Sequence, residues 1–155
     1  MKRSPALIEL SREHHQALRL ALAARRAAVS GADEAVAALA QQVRALMASE
    51  LEQHFCREEA DLLPLLAAAG HAELVSRTLA EHRLLRQSAA ALVSPQRGLL
   101  LAFAELLQAH VRFEERELFE VGERLAPSPD RVAAAAAPPG EAAAAAAIRA
   151  SGSRG

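Results

Sequence analysis

The chain has no tryptophan or tyrosine, only four phenylalanines, and a single cysteine and a single lysine among its 155 residues. One cysteine cannot form an internal disulfide, which excludes a small secreted fold held by bridges. A basic surplus of the kind a nucleic-acid surface needs is also missing. The chain has 18 basic and 19 acidic side chains, for a net charge of −1. No apolar run reaches the roughly 18 to 20 residues of a membrane span. The N-terminus has two basic residues but lacks the apolar stretch of roughly 7–15 residues that marks a signal peptide, so a cytoplasmic protein is expected. Strand-favouring aromatic and β-branched residues are scarce, while alanine and leucine carry most of the 52% hydrophobic content. Those two are strong helix formers, and the composition predicts an all-α fold. The preference for arginine over lysine, with so much alanine and leucine, fits a GC-rich coding bias and a bacterial source.

Four helical segments can be placed. The first runs from about Ala6 to Val29, with Ser4-Pro5 as N-cap and first turn and Ser30-Gly31 as its stop. The second starts near Asp33, read as a cap, and reaches about Ala69, where Gly70 ends it. Pro64 falls inside its last turns and should kink or loosen the helix by removing a backbone donor. The third covers about Ala72 to Val93 and the fourth about Gln96 to Leu125, before Pro127 and Pro129. Short links make successive helices antiparallel neighbours, giving an up-down-up-down four-helix bundle over residues 1–125. Residues 126–155 differ. Ala133–Ala137 and Ala142–Ala147 are alanine runs around Pro138-Pro139-Gly140, a low-complexity tail expected to be disordered or transiently helical.

Five of the six histidines sit in repeated motifs. HFCREEADLL (His54 to Leu63) and HVRFEERELF (His110 to Phe119) share the pattern H-x-x-x-E-E-x-[DE]-L-[LF]. A weaker repeat, Glu13-His14 and Glu81-His82, lies on the first and third segments. The chain is therefore two similar helix hairpins in tandem. Residues four apart share a helix face, so His54 with Glu58, and His110 with Glu114, each form a two-donor claw. Apolar neighbours such as Leu51, Leu62, Leu106 and Leu118 turn both claws toward the core, where a carboxylate needs a partner. At about 1.5 Å of rise per residue, His14, His54, Glu58, His82, His110 and Glu114 all fall within about one turn of one level. Four imidazoles and two carboxylates suit iron, manganese, zinc or copper, and two carboxylates from diagonal helices could bridge a metal pair. Open octahedral positions favour iron.

EHHQALRL, HFCREEADLLP, AEHRLLR and HVRFEERELF, in that order, resemble the hemerythrin-like HHE cation-binding domain from about Leu7 to Val121. The resemblance implies a carboxylate-bridged centre of two iron ions, with an oxo or hydroxo bridge, that meets dioxygen, nitric oxide or peroxide. It implies metal binding by His14, His54, Glu58, His82, His110 and Glu114, while the balanced charge and the lack of a long apolar run predict no nucleic-acid or membrane partner. Oxygen-carrying relatives have a further histidine where this chain has Arg86, so a four-histidine, two-glutamate site is the better match. His15, about 100° around the helix from His14, is the alternative to it. Glu59 and Glu115 are expected on a solvated or inter-helix face. Asp61 and Glu117 are the better candidates for orienting an imidazole. Cys56 reads as a small buried residue and His71 as a surface one. Capture of a small ligand and iron homeostasis without turnover are the two functional readings this supports.

Overall fold

Apolar residues recur at steps of three and four along each segment, so each segment must bury one stripe against the others. The computed structural model describes residues 4–126. It contains four long helical rods, which we number α1 (Pro5–Ser30), α2 (residues 33–68), α3 (Ala72–Ala91) and α4 (residues 97–125). Among the described residues there is no strand, and no helix is long and apolar enough to cross a membrane. The all-α four-helix bundle expected from composition is the observed fold. The chain divides into two units after Leu125, and the second, including the alanine-rich tail, lies outside the described residues apart from Ala126.

The stripe on α1 reads Leu7, Leu10, His14, Ala17, Leu20, Ala21, Ala24, Ala27 and Ala28, all buried. His14 occupies a core position in that series. Small residues over the later turns let α1 pack more extensively against α4 than against any other helix. The core consequently forms two apolar clusters. The larger includes Leu20, Val43, Leu85, Leu100, Phe103 and Leu107. The smaller is built on Leu7, Leu10, Leu62, Leu66, Leu118 and Phe119. Buried polar residues interrupt the stripes where the two clusters meet: His14 on α1, His54 and Glu58 on α2, and His110 and Glu114 on α4.

Helix ends follow the sequence signals with two differences. Ser4 precedes α1, but its hydroxyl makes no cap bond; its backbone N–H donates to the Glu123 carboxylate at 2.9 Å. Asp33 lies inside the first turn of α2, after Ala32 at the cap position, and its carboxylate pairs with Arg97 at 2.6 Å. Arg97 also donates to the Gly31 carbonyl at 2.7 Å, serving the end of α1 and the start of α2 together.

Gly70 ends α2 with φ at +89°, while the N–H of His71 reaches back to the Leu66 carbonyl at 2.9 Å. A Cβ placed there meets nothing within 4 Å, so the cost of a side chain is purely that of the left-handed backbone. Gly70→Ala is expected to lower stability by about 1–2 kcal/mol, read as a shift in the urea midpoint at unchanged slope.

Pro64 leaves α2 continuous. The missing donor is absorbed by a π-helical turn over Glu58–Leu62, just ahead of the proline. Two further π turns occupy Met47–Leu51 on α2 and Glu114–Leu118 on α4. Those at Glu58 and Glu114 stand at equivalent positions of the two hairpins, and only one precedes a proline. The shared feature is the pair of consecutive glutamates with which each begins.

Candidate metal centre

Each helix delivers donors to one layer because its claw replaces apolar residues in the buried stripe. His14, His54, Glu58 and Glu114 place one atom each within 4.8 Å of one another, and so do Glu58, His82, His110 and Glu114. The two quartets share both carboxylates, and each carboxylate divides its oxygens between them. Glu58 Oε1 lies 3.1 Å from His54 Nε2, while its Oε2 lies 3.3 Å from His82 Nε2. Glu114 Oε2 lies 3.1 Å from His14 Nε2, and its Oε1 is 3.1 Å from His110 Nε2. The six side chains singled out in the sequence are thus together, and all are buried. His15 is exposed, its Nδ1 donating to the Ser11 carbonyl at 2.8 Å, so His14 is the histidine that faces the core.

Every imidazole is held from behind by a carboxylate. Nδ1 of His14 donates to Glu115 at 2.7 Å, His54 to Glu13 at 2.7 Å, His82 to Glu59 at 2.8 Å and His110 to Glu81 at 2.8 Å. These bonds place the Nδ1 proton outward and aim the Nε2 lone pair inward. The carboxylates are tied in turn. Arg57 grips Glu13, Arg77 donates to Glu81 at 2.8 Å, and Arg86 donates to Glu59 at 3.0 Å while forking onto Glu52. Ser11 Oγ donates to Glu115 at 2.7 Å.

This corrects the reading of the acids next to the claws. Glu59 and Glu115 orient imidazoles, whereas Asp61 is exposed and Glu117 lies 3.7 Å from Arg77. The signal was present in the repeat, because each hairpin carries a glutamate directly before its first histidine and directly after its claw glutamate. Cys56, expected to be buried, is exposed, with Sγ 3.5 Å from a Glu52 oxygen. It takes no part in the layer.

The inner atoms are left in an arrangement that hydrogen bonding within the protein does not satisfy. Both oxygens of Glu58, both of Glu114, and Nε2 of His82 and His110 are buried without a hydrogen-bond partner. His14 Nε2 and His54 Nε2 stand 3.1 Å apart, and with both Nδ1 protons committed outward they are two lone pairs facing each other. Six such atoms in one layer would cost several kcal/mol, and shared cations would satisfy them all. Nitrogen and carboxylate oxygen donors, without sulfur, form a set that fits a borderline divalent metal.

Protonation opposes the same strain in the metal-free chain. Burial works against charge on His14, but Glu114 and Glu115 outweigh it and push its pKa up to about 9. Burial likewise disfavours His82⁺, and Glu114 and Glu58 lift it to about 9. Burial would raise Glu58, yet His54 and His82 bring it down to about 2. The stability tied to the two imidazolium groups is therefore complete below about pH 6.5 and lost as pH rises through about 9. That tied to Glu58 is present above about pH 4.5 and lost as pH falls to about 2.

One side of the layer is open. A cavity of about 450 Å³, lined from α1, α2 and α4, reaches His14, His54 and His110. His82 is closed off on its own side by Phe55, whose ring stacks on it at 3.9 Å between centroids.

Four antiparallel helices around a buried histidine and carboxylate layer fit the class of cation-binding bundles. The chain matches the hemerythrin HHE cation-binding domain model over residues 6–121, well over half its length, and it belongs to that family. No curated protein and no solved structure matches this chain.

Proposed function

We propose that the domain holds two iron ions, one in the His14, His54, Glu58 and Glu114 quartet and one in the Glu58, His82, His110 and Glu114 quartet. On this reading it binds or senses dioxygen, nitric oxide or peroxide. The division of each carboxylate between two imidazole pairs is the observation that carries the reading. When bound, the iron pair supplies redox change and open coordination positions. The protein fixes four imidazoles through Glu13, Glu59, Glu81 and Glu115, excludes bulk water from the His82 side with Phe55, and leaves the His14 and His54 side reachable through the cavity. Iron homeostasis without turnover is the second reading. It is favoured by the engagement of Glu13, one of the two acids that line the cavity, with both Arg57 and His54, which ties that carboxylate to structural partners.

Protein expressed with ample iron and purified in air should carry two irons per chain by mass spectrometry and a ligand-to-metal charge-transfer band. Loading at pH 7 should release protons from His14 and His82, and the release should shrink as pH rises through about 9. Less than half an equivalent of iron with no such band would overturn the reading. Peroxide or oxygen consumption beyond stoichiometric metal oxidation separates the ligand-handling reading from homeostasis.

A further inference from the structure

The two hairpins superpose their motifs residue for residue, so a departure from the repeat marks something the donor layer does not require. Two departures fall in one place. Phe55 follows His54, and the equivalent residue after His110 is Val111. The Phe55 ring covers His82 and also borders the cavity, where Val111 stands as the smaller of the two wall residues, beside His14. The π turn at Met47–Leu51 has no partner in the second hairpin, where the equivalent residues 103–107 are regular helix. That turn carries Glu50 and Leu51 into the cavity wall. The smaller residue and the widened turn both border the cavity, which is lined by His14, His54 and His110. His14 and His54 are 3% and 4% exposed, against 0% and 1% for His82 and His110.

The volume exceeds what a diatomic molecule needs. A water-sized molecule occupies about 30 Å³, and cavities of roughly 300–1,000 Å³ are those that take organic ligands. The walls contribute Leu20, Leu46, Leu51 and Leu107, and the rim carries Gln16 and Gln53. Charge at the rim is acidic, because Glu13 and Glu50 line it and its one arginine, Arg57, is gripped by Glu13 and lies 3.9 Å from Glu9. An anion would be repelled there, while an uncharged molecule with an apolar body and one hydrogen-bonding head matches both wall and rim.

We propose that this cavity binds a small uncharged organic ligand beside His14 and His54, and that Val111 sets the size it accepts. The proposal extends the metal reading by naming the class of ligand at that face, but the cavity is lined by protein alone. Its test can therefore be separated from metal loading. Full-length protein loaded with zinc, which keeps the site diamagnetic, is titrated with benzyl alcohol and followed by shifts of the histidine ring resonances in NMR. Metal content is counted separately by mass spectrometry, and the titration is repeated on metal-free protein.

Saturable binding is expected, with methanol at least tenfold weaker because it leaves the apolar walls unfilled. Phenylmethanesulfonate, a similar body with a poorly coordinating anionic head, should also be at least tenfold weaker. Val111→Phe, which restores the ring the other hairpin carries, should reduce benzyl alcohol binding at least tenfold while metal content stays unchanged. Val111→Leu gives a graded loss and keeps the test informative if the larger ring does not fold. Equal binding of methanol and benzyl alcohol, or unchanged affinity in Val111→Leu and Val111→Phe, overturns the proposal. So does the absence of saturable shifts in protein with full metal content. A chain that takes up no metal yet binds benzyl alcohol with the same Val111 dependence would sink the metal reading and leave this one standing.

Discussion

On the proposed two-ion reading, Glu58→Gln should cut metal content from two ions per chain to one or fewer. Glutamine keeps the volume of the side chain but offers one neutral carbonyl where the carboxylate offers two anionic oxygens, one facing His54 and one facing His82. Each quartet loses an anionic donor at once, because the same residue serves both. Glu114→Gln should act in the same way, since its oxygens are divided between His14 and His110. The contrast is Glu59→Gln. Glu59 lies one residue away and reaches only the back of His82, where it accepts the Nδ1 proton at 2.8 Å. Its loss loosens one imidazole and should weaken metal binding by roughly 10–100-fold, the usual effect of removing such a partner. At saturating metal the count stays at two. Mass spectrometry after gel filtration, with a chelator competition for affinity, separates the cases. A Glu59→Gln protein that loses both metals while Glu58→Gln retains them would reverse the assignment of inner and outer carboxylates.

How far the sequence could be read depended on whether periodicity carried the information. Helix number, direction and ends are legible because apolar steps of three and four, Gly70 and the prolines act locally. The six inner side chains are legible because they interrupt those apolar stripes at matching depths, and a buried acid or imidazole is costly enough to need a reason. His14 and His15 could be ordered by their alignment with Leu10 and Leu18 on the same face. The outer carboxylates are another matter. Glu59 stands one position off the stripe, where helical periodicity alone places it toward solvent or a neighbouring helix. Whether it meets water or His82 depends on how α3 is seated beside α2, which is tertiary packing. The π turn beginning at Glu58 also changes the local rotation, so the ordinary 3.6-residue wheel misjudges the positions just after it. The exposure of Cys56 is hidden from the sequence for a simpler reason. Its residue type is usually buried, but it lies between Phe55 and Arg57 on the face turned toward Glu52 and water.

The residue that joins the core to the metal layer is Phe55, and Phe55→Ala carries the largest expected stability effect. The ring is 1% exposed, stacks on His82 at 3.9 Å, and presents its edge to His110 at 5.6 Å. The guanidinium of Arg86, which also holds Glu59, lies 5.4 Å from its centre. Truncation removes a fully buried aromatic side chain and leaves a hole that neighbouring helices can close only in part, at about 3–5 kcal/mol. For a domain of this size that is a fall in melting temperature of roughly 10–20 °C. Phe55→Leu, which retains most of the apolar volume, should cost about 1–2 kcal/mol. Both values are to be measured by urea unfolding of metal-free protein, so that metal release does not enter the transition. The loaded protein then adds a second reading. If the ring positions His82 as well as filling the core, Phe55→Leu should weaken metal binding in addition to its modest cost to the metal-free fold, because leucine fills space without providing a flat face for the imidazole. A metal-free Phe55→Ala protein that loses less than about 1 kcal/mol would place the ring outside the load of the core and make the metal layer its only support.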